Sequence, residues 1–72
     1  MSVPLDTPTG TKLVFTGNGG YEFEVVRAID RGFRIGEQYI LSALHVGGWS
    51  SRLEVVEIVD GGINTCMFEV AV

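Results

Sequence analysis

The sequence predicts a mostly β protein, folded as a small antiparallel barrel with one short helical excursion. Four runs rich in β-forming residues support this, at residues 12–16, 38–46, 50–59 and 63–70. Glycine-containing turns separate them, at 17–20, 47–48 and 60–62. The chain has 72 residues and is 46% hydrophobic, as expected for one small folded domain.

The domain organisation is expected to be a flexible N-terminal arm at 1–11, with Pro4 and Pro8, followed by a barrel domain at 12–72. A domain of this size buries only roughly 60% of the surface of its unfolded chain, so its core is thin. Cys66 is the single cysteine, which excludes a disulfide within the chain. Close packing, self-association or both must therefore stabilise the fold.

The segment 21–33 fits two patterns. Polar and apolar residues alternate at 21–25, which is typical of a strand. Apolar residues also recur at the spacing of one helix face, at Tyr21, Val25, Ala28 and Ile29. Gly32 provides a plausible helix end. We favour a short helix here.

The pair Gly47-Gly48 predicts a two-residue hairpin turn, because glycine adopts positive φ at little cost. That register pairs Leu44 with Ser51. One face of the hairpin then carries Ile40, Leu44, Val46, Trp49, Leu53 and Val55. The opposite face carries Tyr39, Leu41, His45, Arg52, Glu54 and Val56. The pattern changes along the first strand, which predicts a bend or bulge around Ser42-Ala43.

The last strand, 63–70, is expected to pair with the preceding one across the glycines at 60–62. Two turn positions are open: one pairs Phe68 with Leu53, and the other pairs it with Val55. Both registers place Phe68 on the face of Leu53 and Val55. We therefore expect that face to form the core.

The net charge of −4 favours protein partners over nucleic acid, which is usually bound by clustered lysine and arginine. Arg27, Arg31 and Arg34 do cluster in sequence, although acidic residues flank them. A nucleic-acid-binding barrel that uses these three arginines is the alternative function. The chain has no apolar run of ~20 residues for a membrane helix, and a lone Cys66 suits the reducing cytoplasm.

No residue pattern predicts an enzyme, a cofactor site or a metal site. The glycine-rich stretch 17–20 lacks the spacing of a dinucleotide or nucleotide loop. Cys66 and His45 lie in different predicted strands with no third group to orient them. Glu54 and Glu57 are expected on opposite faces of one strand, so they cannot act as paired acid and base.

The candidate partner-binding residues are Trp49, Arg27, Arg31, Arg34 and Tyr21. Trp49 follows a hairpin turn, where it either anchors an interface or covers one end of the core. Tyr21, Phe33 and Tyr39 offer a stacking platform for bases, but the acidic balance favours core positions for them.

Several short motifs resemble those of small proteins encoded by bacteriophages and prophages. They are GEQY at 36–39, VGGWSS at 46–51, IN at 63–64 and FE at 68–69. The resemblance covers residues 12–69. It implies a barrel of the Src-homology-three type in an accessory protein of the host cytoplasm, which binds a host or phage protein without catalysis. A homodimer is a further expectation, with Val70, Ala71 and Val72, or Trp49, at the contact.

Overall fold

The computed structural model describes residues 3–19, 21–48, 51–58 and 62–71. Within these residues, one antiparallel sheet of five strands carries one α-helix. The elements in chain order are β1 (Lys12–Phe15), α1 (Glu22–Asp30), β2 (Gln38–His45), β3 (Arg52–Val55), β4 (Ile63–Asn64), a 3-10 turn (Thr65–Met67) and β5 (Phe68–Val70). The predicted mostly β fold with a short helix is confirmed.

The strand order in the sheet is β4-β3-β2-β1-β5. The two outer strands, β4 and β5, are consecutive in the chain and are separated only by the turn Thr65–Met67. Asn64 caps this turn, because its side-chain oxygen accepts a hydrogen bond of 3.0 Å from the backbone N–H of Cys66. The sheet must therefore curl strongly to bring its two edges within reach of each other.

Strand β2 bends where the sequence predicted a bend. Its register against β3 shifts between Leu41 and Ala43, which marks a bulge next to Ser42. Residues before the bulge pair with β1, and residues from Leu41 onward pair with β3. The carboxylate of Glu57 accepts a 3.0 Å hydrogen bond from the backbone N–H of Ile40, just before the bend.

The register expected for the first hairpin is wrong. Leu44 lies opposite Leu53, not opposite Ser51. The observed register places Leu41 opposite Val55, and both side chains are buried. A register that buries both apolar residues is favoured over one fixed by a two-glycine turn. Tyr39 and Leu41, expected on the face away from the core, are consequently part of it.

The expected pairing of the last strand is also wrong. Leu53 lies opposite Ile63, and Phe68 belongs to β5, where it pairs with Phe15 of β1. The run 63–70 is not one strand, because the 3-10 turn interrupts it. The expectation that Phe68 shares the core with Leu53 and Val55 is confirmed.

The core joins the sheet to the residues that follow the helix. Its buried apolar members are Val3, Leu13, Phe15, Ala28, Phe33, Tyr39, Leu41, Leu53, Val55, Ile63, Met67 and Phe68. Phe33 lies near its centre, with its ring centroid 5.0 to 5.6 Å from those of three other aromatic rings. These tilted and edge-on arrangements are the ones that aromatic rings prefer.

The N-terminal segment, for which the sequence predicts flexibility, lies against the sheet in this structure. Val3 is buried in the core, and the backbone N–H of Gly10 donates a 2.8 Å hydrogen bond to the carbonyl of Leu41. Leu41 in turn donates to the carbonyl of Thr11 at 3.0 Å. These contacts extend the pairing of the bent strand β2.

Helix α1 ends as the sequence predicts. Gly32, at φ +112°, follows the last helical turn and donates to the carbonyl of Ile29. Phe33 donates to the carbonyl of Ala28, and the two bonds together form a Schellman motif. This helix end turns the chain so that Phe33 enters the core. No helix among the described residues is long and apolar enough to cross a bilayer.

Candidate functional site

Helix α1 exposes most of its apolar side chains to solvent. Ala28 is its one fully buried residue, and Val25 is half-buried. The exposed apolar side chains at and after its N-cap are Tyr21 (72% exposed), Phe23 (59%), Val26 (56%) and Ile29 (49%). We call these four residues the helix surface. Apolar groups that cluster on the outside of a small protein commonly mark an interaction site.

The helical repeat explains this exposure. Successive residues turn by about 100°, so Val26 projects about 160° away from the buried Ala28. Phe23 projects about 140° from Ala28 toward the other flank. The rings of Tyr21 and Phe23 stack with centroids 5.7 Å apart and planes 9° apart. Two large aromatic rings are therefore held together in solvent at the start of the helix.

A small cleft lies beside the helix surface, between α1 and the β3–β4 edge of the sheet. Three arginines line it, Arg27 and Arg31 from the end of α1 and Arg52 from the start of β3. Glu24, Gly62 and Asn64 are also in its wall, and its volume is about 80 Å³. We call this the arginine cleft. Among the described lining residues, three guanidinium groups outweigh one carboxylate and give the cleft a positive charge.

The three arginines differ in how they are held. The side chain of Arg52 donates a 2.9 Å hydrogen bond from Nη1 to the carbonyl of Gly62, the residue just before β4. Within the part of the chain that the structure describes, the side chains of Arg27 and Arg31 have no ion pair or hydrogen bond. Their donors are available to a ligand.

The structure brings together only some of the predicted binding residues. Arg27 and Arg31 share the cleft, but Arg34 does not line it. Arg34 lies in the loop before β2, where its backbone N–H donates to the hydroxyl of Tyr39 at 2.8 Å. Tyr21 is exposed at the helix N-cap. Trp49 lies outside the described residues.

Sequence reasoning missed Arg52 as a member of this group. It is distant from the other arginines in sequence and meets them only because β3 and β4 pack beside the end of α1. No local pattern indicates Arg52, because its place in the cleft depends on the long-range packing of a helix against a sheet edge. Phe33 and Tyr39 are buried, as the acidic balance favoured, whereas Tyr21 is exposed, so these three rings do not form a stacking platform.

The side chains weighed as catalytic candidates lie in different elements of the fold. Cys66 lies in the 3-10 turn and its thiol donates to the carbonyl of Gly19 at 3.0 Å. His45, at the end of β2, pairs through Nε2 with the carboxylate of Glu54 at 2.7 Å. Glu57 lies beyond the end of β3, so the expectation that Glu54 and Glu57 share one strand is wrong. Among the described residues, no three His, Cys, Asp or Glu side chains group as metal ligands.

Burial raises the pKa of the Cys66 thiol above its ordinary value of 9.0, and the carboxylate of Glu24 raises it further. We therefore expect Cys66 to react with iodoacetamide more slowly in the folded protein than in urea. The rate should rise with pH through an apparent pKa above that of the unfolded chain.

The same shift affects stability. The folded state holds the thiol proton more tightly than the unfolded state. The stability that this difference contributes is therefore fully present below pH 9.0 and is lost as the pH rises through the pKa of the folded state. Alkylation profiles of the native and urea-unfolded protein measure the effect. An apparent pKa at or below that of the unfolded chain contradicts it.

Taken together, the described surface offers one apolar helix face and one adjoining positive cleft. Comparison with protein-family models, with curated proteins and with solved structures finds no match to this chain.

Proposed function

We propose that this chain is a non-enzymatic protein-binding module and that its docking surface is the helix surface of α1. The observation that carries the proposal is the exposure of four apolar side chains on and beside a nine-residue helix that buries only Ala28 completely. A helix that contributes so little to the core gains most from its apolar residues when a partner covers them. The net charge of −4 also favours a protein partner.

We further propose that the scaffold is a closed barrel of the Src-homology-three type. The order β4-β3-β2-β1-β5 supports this, because a three-residue turn links the two edges of the sheet. The bulge in β2 supplies the bend that such closure needs. A phage accessory role in the bacterial cytoplasm, on a host or phage protein, is the biological setting that we propose for this module.

The substitution Val26→Asp tests the docking surface. It places a charge in the middle of the helix surface without touching a core residue, so we expect at least a tenfold loss of partner binding with the fold retained. Val56→Asp is the matched control, since Val56 is an equally exposed valine that lies just after β3. The measurement is affinity capture from bacterial lysate with the native chain and both variants.

The informative result is a protein retained by the native chain and by Val56→Asp but lost with Val26→Asp. Equal capture by all three chains would show that α1 is not part of the binding interface. Circular dichroism of each variant confirms that the fold is retained.

Self-association is a separate proposal, based on the outer strand β5. Val70 at its end is partly exposed. A second copy would pair with this outer strand where the barrel is incompletely closed, because an open sheet edge carries unpaired backbone groups. Val72, named with Val70 in the sequence analysis, lies outside the described residues. Light scattering at about 100 μM should give the mass of a dimer, and a monomer at that concentration contradicts it.

The arginine cleft supports nucleic-acid binding as the second candidate function. Arg27 and Arg31 lie together in it, although Arg52 takes the place expected for Arg34. Titration with short DNA and RNA at two salt concentrations tests this function, because phosphate contacts weaken steeply as salt rises.

A further inference from the structure

We propose that the arginine cleft binds a carboxylate of the protein partner, so that the partner segment is an acidic and apolar peptide. This inference rests on the proposed protein-binding function and specifies the chemistry of its partner. Its apolar side chains would cover the helix surface, and an acidic side chain would enter the cleft beside it.

The charge and geometry of the cleft support a carboxylate ligand. Arg27 and Arg31 are one helical turn apart, so their side chains leave α1 on the same flank. Their guanidinium groups have no ion-pair partner among the described residues, so a ligand competes with none of these residues for them. Guanidinium and carboxylate groups match in shape and form paired hydrogen bonds.

The volume of the arginine cleft suits the terminal group of a side chain better than a whole small molecule. Its volume of about 80 Å³ is well below the several hundred Å³ of a typical small-molecule site. Such a space accepts the terminal group of a side chain while the rest of the ligand remains outside. A peptide that lies across α1 satisfies this condition.

The cleft and the helix surface are continuous. Phe23 lines both the arginine cleft and the shallow apolar depression formed with Tyr21, Glu22 and Val26. A ligand in contact with Phe23 therefore meets apolar side chains on one side and arginines on the other. This juxtaposition selects a segment in which apolar and acidic residues are close neighbours.

The acidic residues around the site argue against nucleic acid as the ligand. Glu24 is in the wall of the cleft and Glu22 borders the depression. A chain of phosphates that crosses this region meets both carboxylates, which repel it. Among the described residues that line the cleft, a single carboxylate entering it meets three arginines and one acidic residue, Glu24.

Nuclear magnetic resonance titration of the full chain tests the inference with three probes. They are the acetylated and amidated peptide LFELE, its uncharged counterpart LFQLQ, and a 12-nucleotide single-stranded oligonucleotide. The signals to follow are the backbone amides of Gly62 and Asn64 and the side-chain Nε–H groups of the cleft arginines. The variant combines Arg27→Gln with Arg31→Gln, and Arg34→Gln is the matched control outside the cleft.

We expect LFELE to shift the cleft signals saturably and to bind at least about tenfold more tightly than LFQLQ. The double variant should remove this difference, and Arg34→Gln should keep it. Equal binding of the two peptides, or no cleft shift with LFELE, overturns the carboxylate inference. Tighter binding of the oligonucleotide at the same signals assigns the cleft to nucleic acid instead. The proposed function fails separately, when lysate capture does not depend on Val26.

Discussion

The substitution Phe33→Ala should lower the free energy of unfolding by roughly 3–5 kcal/mol, the typical loss for a buried phenylalanine. Phe33 is fully buried and its ring lies within 5.6 Å of those of Phe15, Tyr39 and Phe68. A domain of this length has a total stability of only about 4–11 kcal/mol. The single change therefore removes a large part of the stability, and urea denaturation measures it.

The control for this substitution lies two residues further along the same loop. Ile35 is 61% exposed, so Ile35→Ala should change the stability by only about 0.5 kcal/mol. If Phe33→Ala does not fold, Phe33→Leu keeps part of the buried volume and should lose about 1–2 kcal/mol. Equal losses for Phe33→Leu and Ile35→Ala would show that Phe33 does not join the helix to the core.

The substitution Gly19→Ala should cost roughly 2–4 kcal/mol, from two effects that add. Gly19 has φ +77°, a conformation that side chains other than glycine rarely adopt. A Cβ at this position would also lie 3.0 Å from the carbonyl oxygen of Cys66 and 3.3 Å from its Cβ. Residues 16–19 and the 3-10 turn would have to separate to relieve this contact.

Gly36→Ala isolates the backbone effect. Gly36 has φ +88°, but a Cβ there meets no atom within 4 Å. We expect this control to lose only the cost of the left-handed conformation, about 1–2 kcal/mol. The difference between the two variants, measured by urea denaturation, gives the steric contribution of Cys66. Losses of equal size would mean that the close approach of Gly19 to Cys66 is not present in solution.

Local signals in the sequence predicted the helix, and the expected core face included three residues that are buried. Val25 and Ala28 at helical spacing, followed by Gly32, correctly placed a short helix that ends before Phe33. Leu53, Val55 and Phe68 were correctly assigned to the core, although Phe68 reaches it through β5 and its pairing with Phe15, not through a pairing with β3. The helix prediction needed only neighbours along the chain.

The strand pairings could not be predicted in the same way. Gly47-Gly48 favoured a two-residue turn, but the observed pairing leaves six residues between His45 and Arg52. The run 63–70 gave no clear sign of the 3-10 turn, although Asn64 was the residue able to cap it. Each register depended on which distant side chains fill the core together, and alternation along one strand does not contain that information.

The same limit applies to the candidate site. Arg27 and Arg31 were found because they are close in sequence, whereas Arg52 joins them only through the packing of β3 beside α1. Arg34 was included for its sequence position but lies outside the cleft. The sequence did not predict the exposure of Phe23 and Val26, because an apolar helix pattern usually indicates burial.

The pairing of β1 with β5 has a consequence for synthesis of the chain on the ribosome. Phe15 emerges early, but its partner across the sheet is Phe68, which is added more than fifty residues later. Contacts so distant in sequence slow folding, and β1 stays without one neighbour until then. The core therefore cannot close before Phe68 has been synthesised.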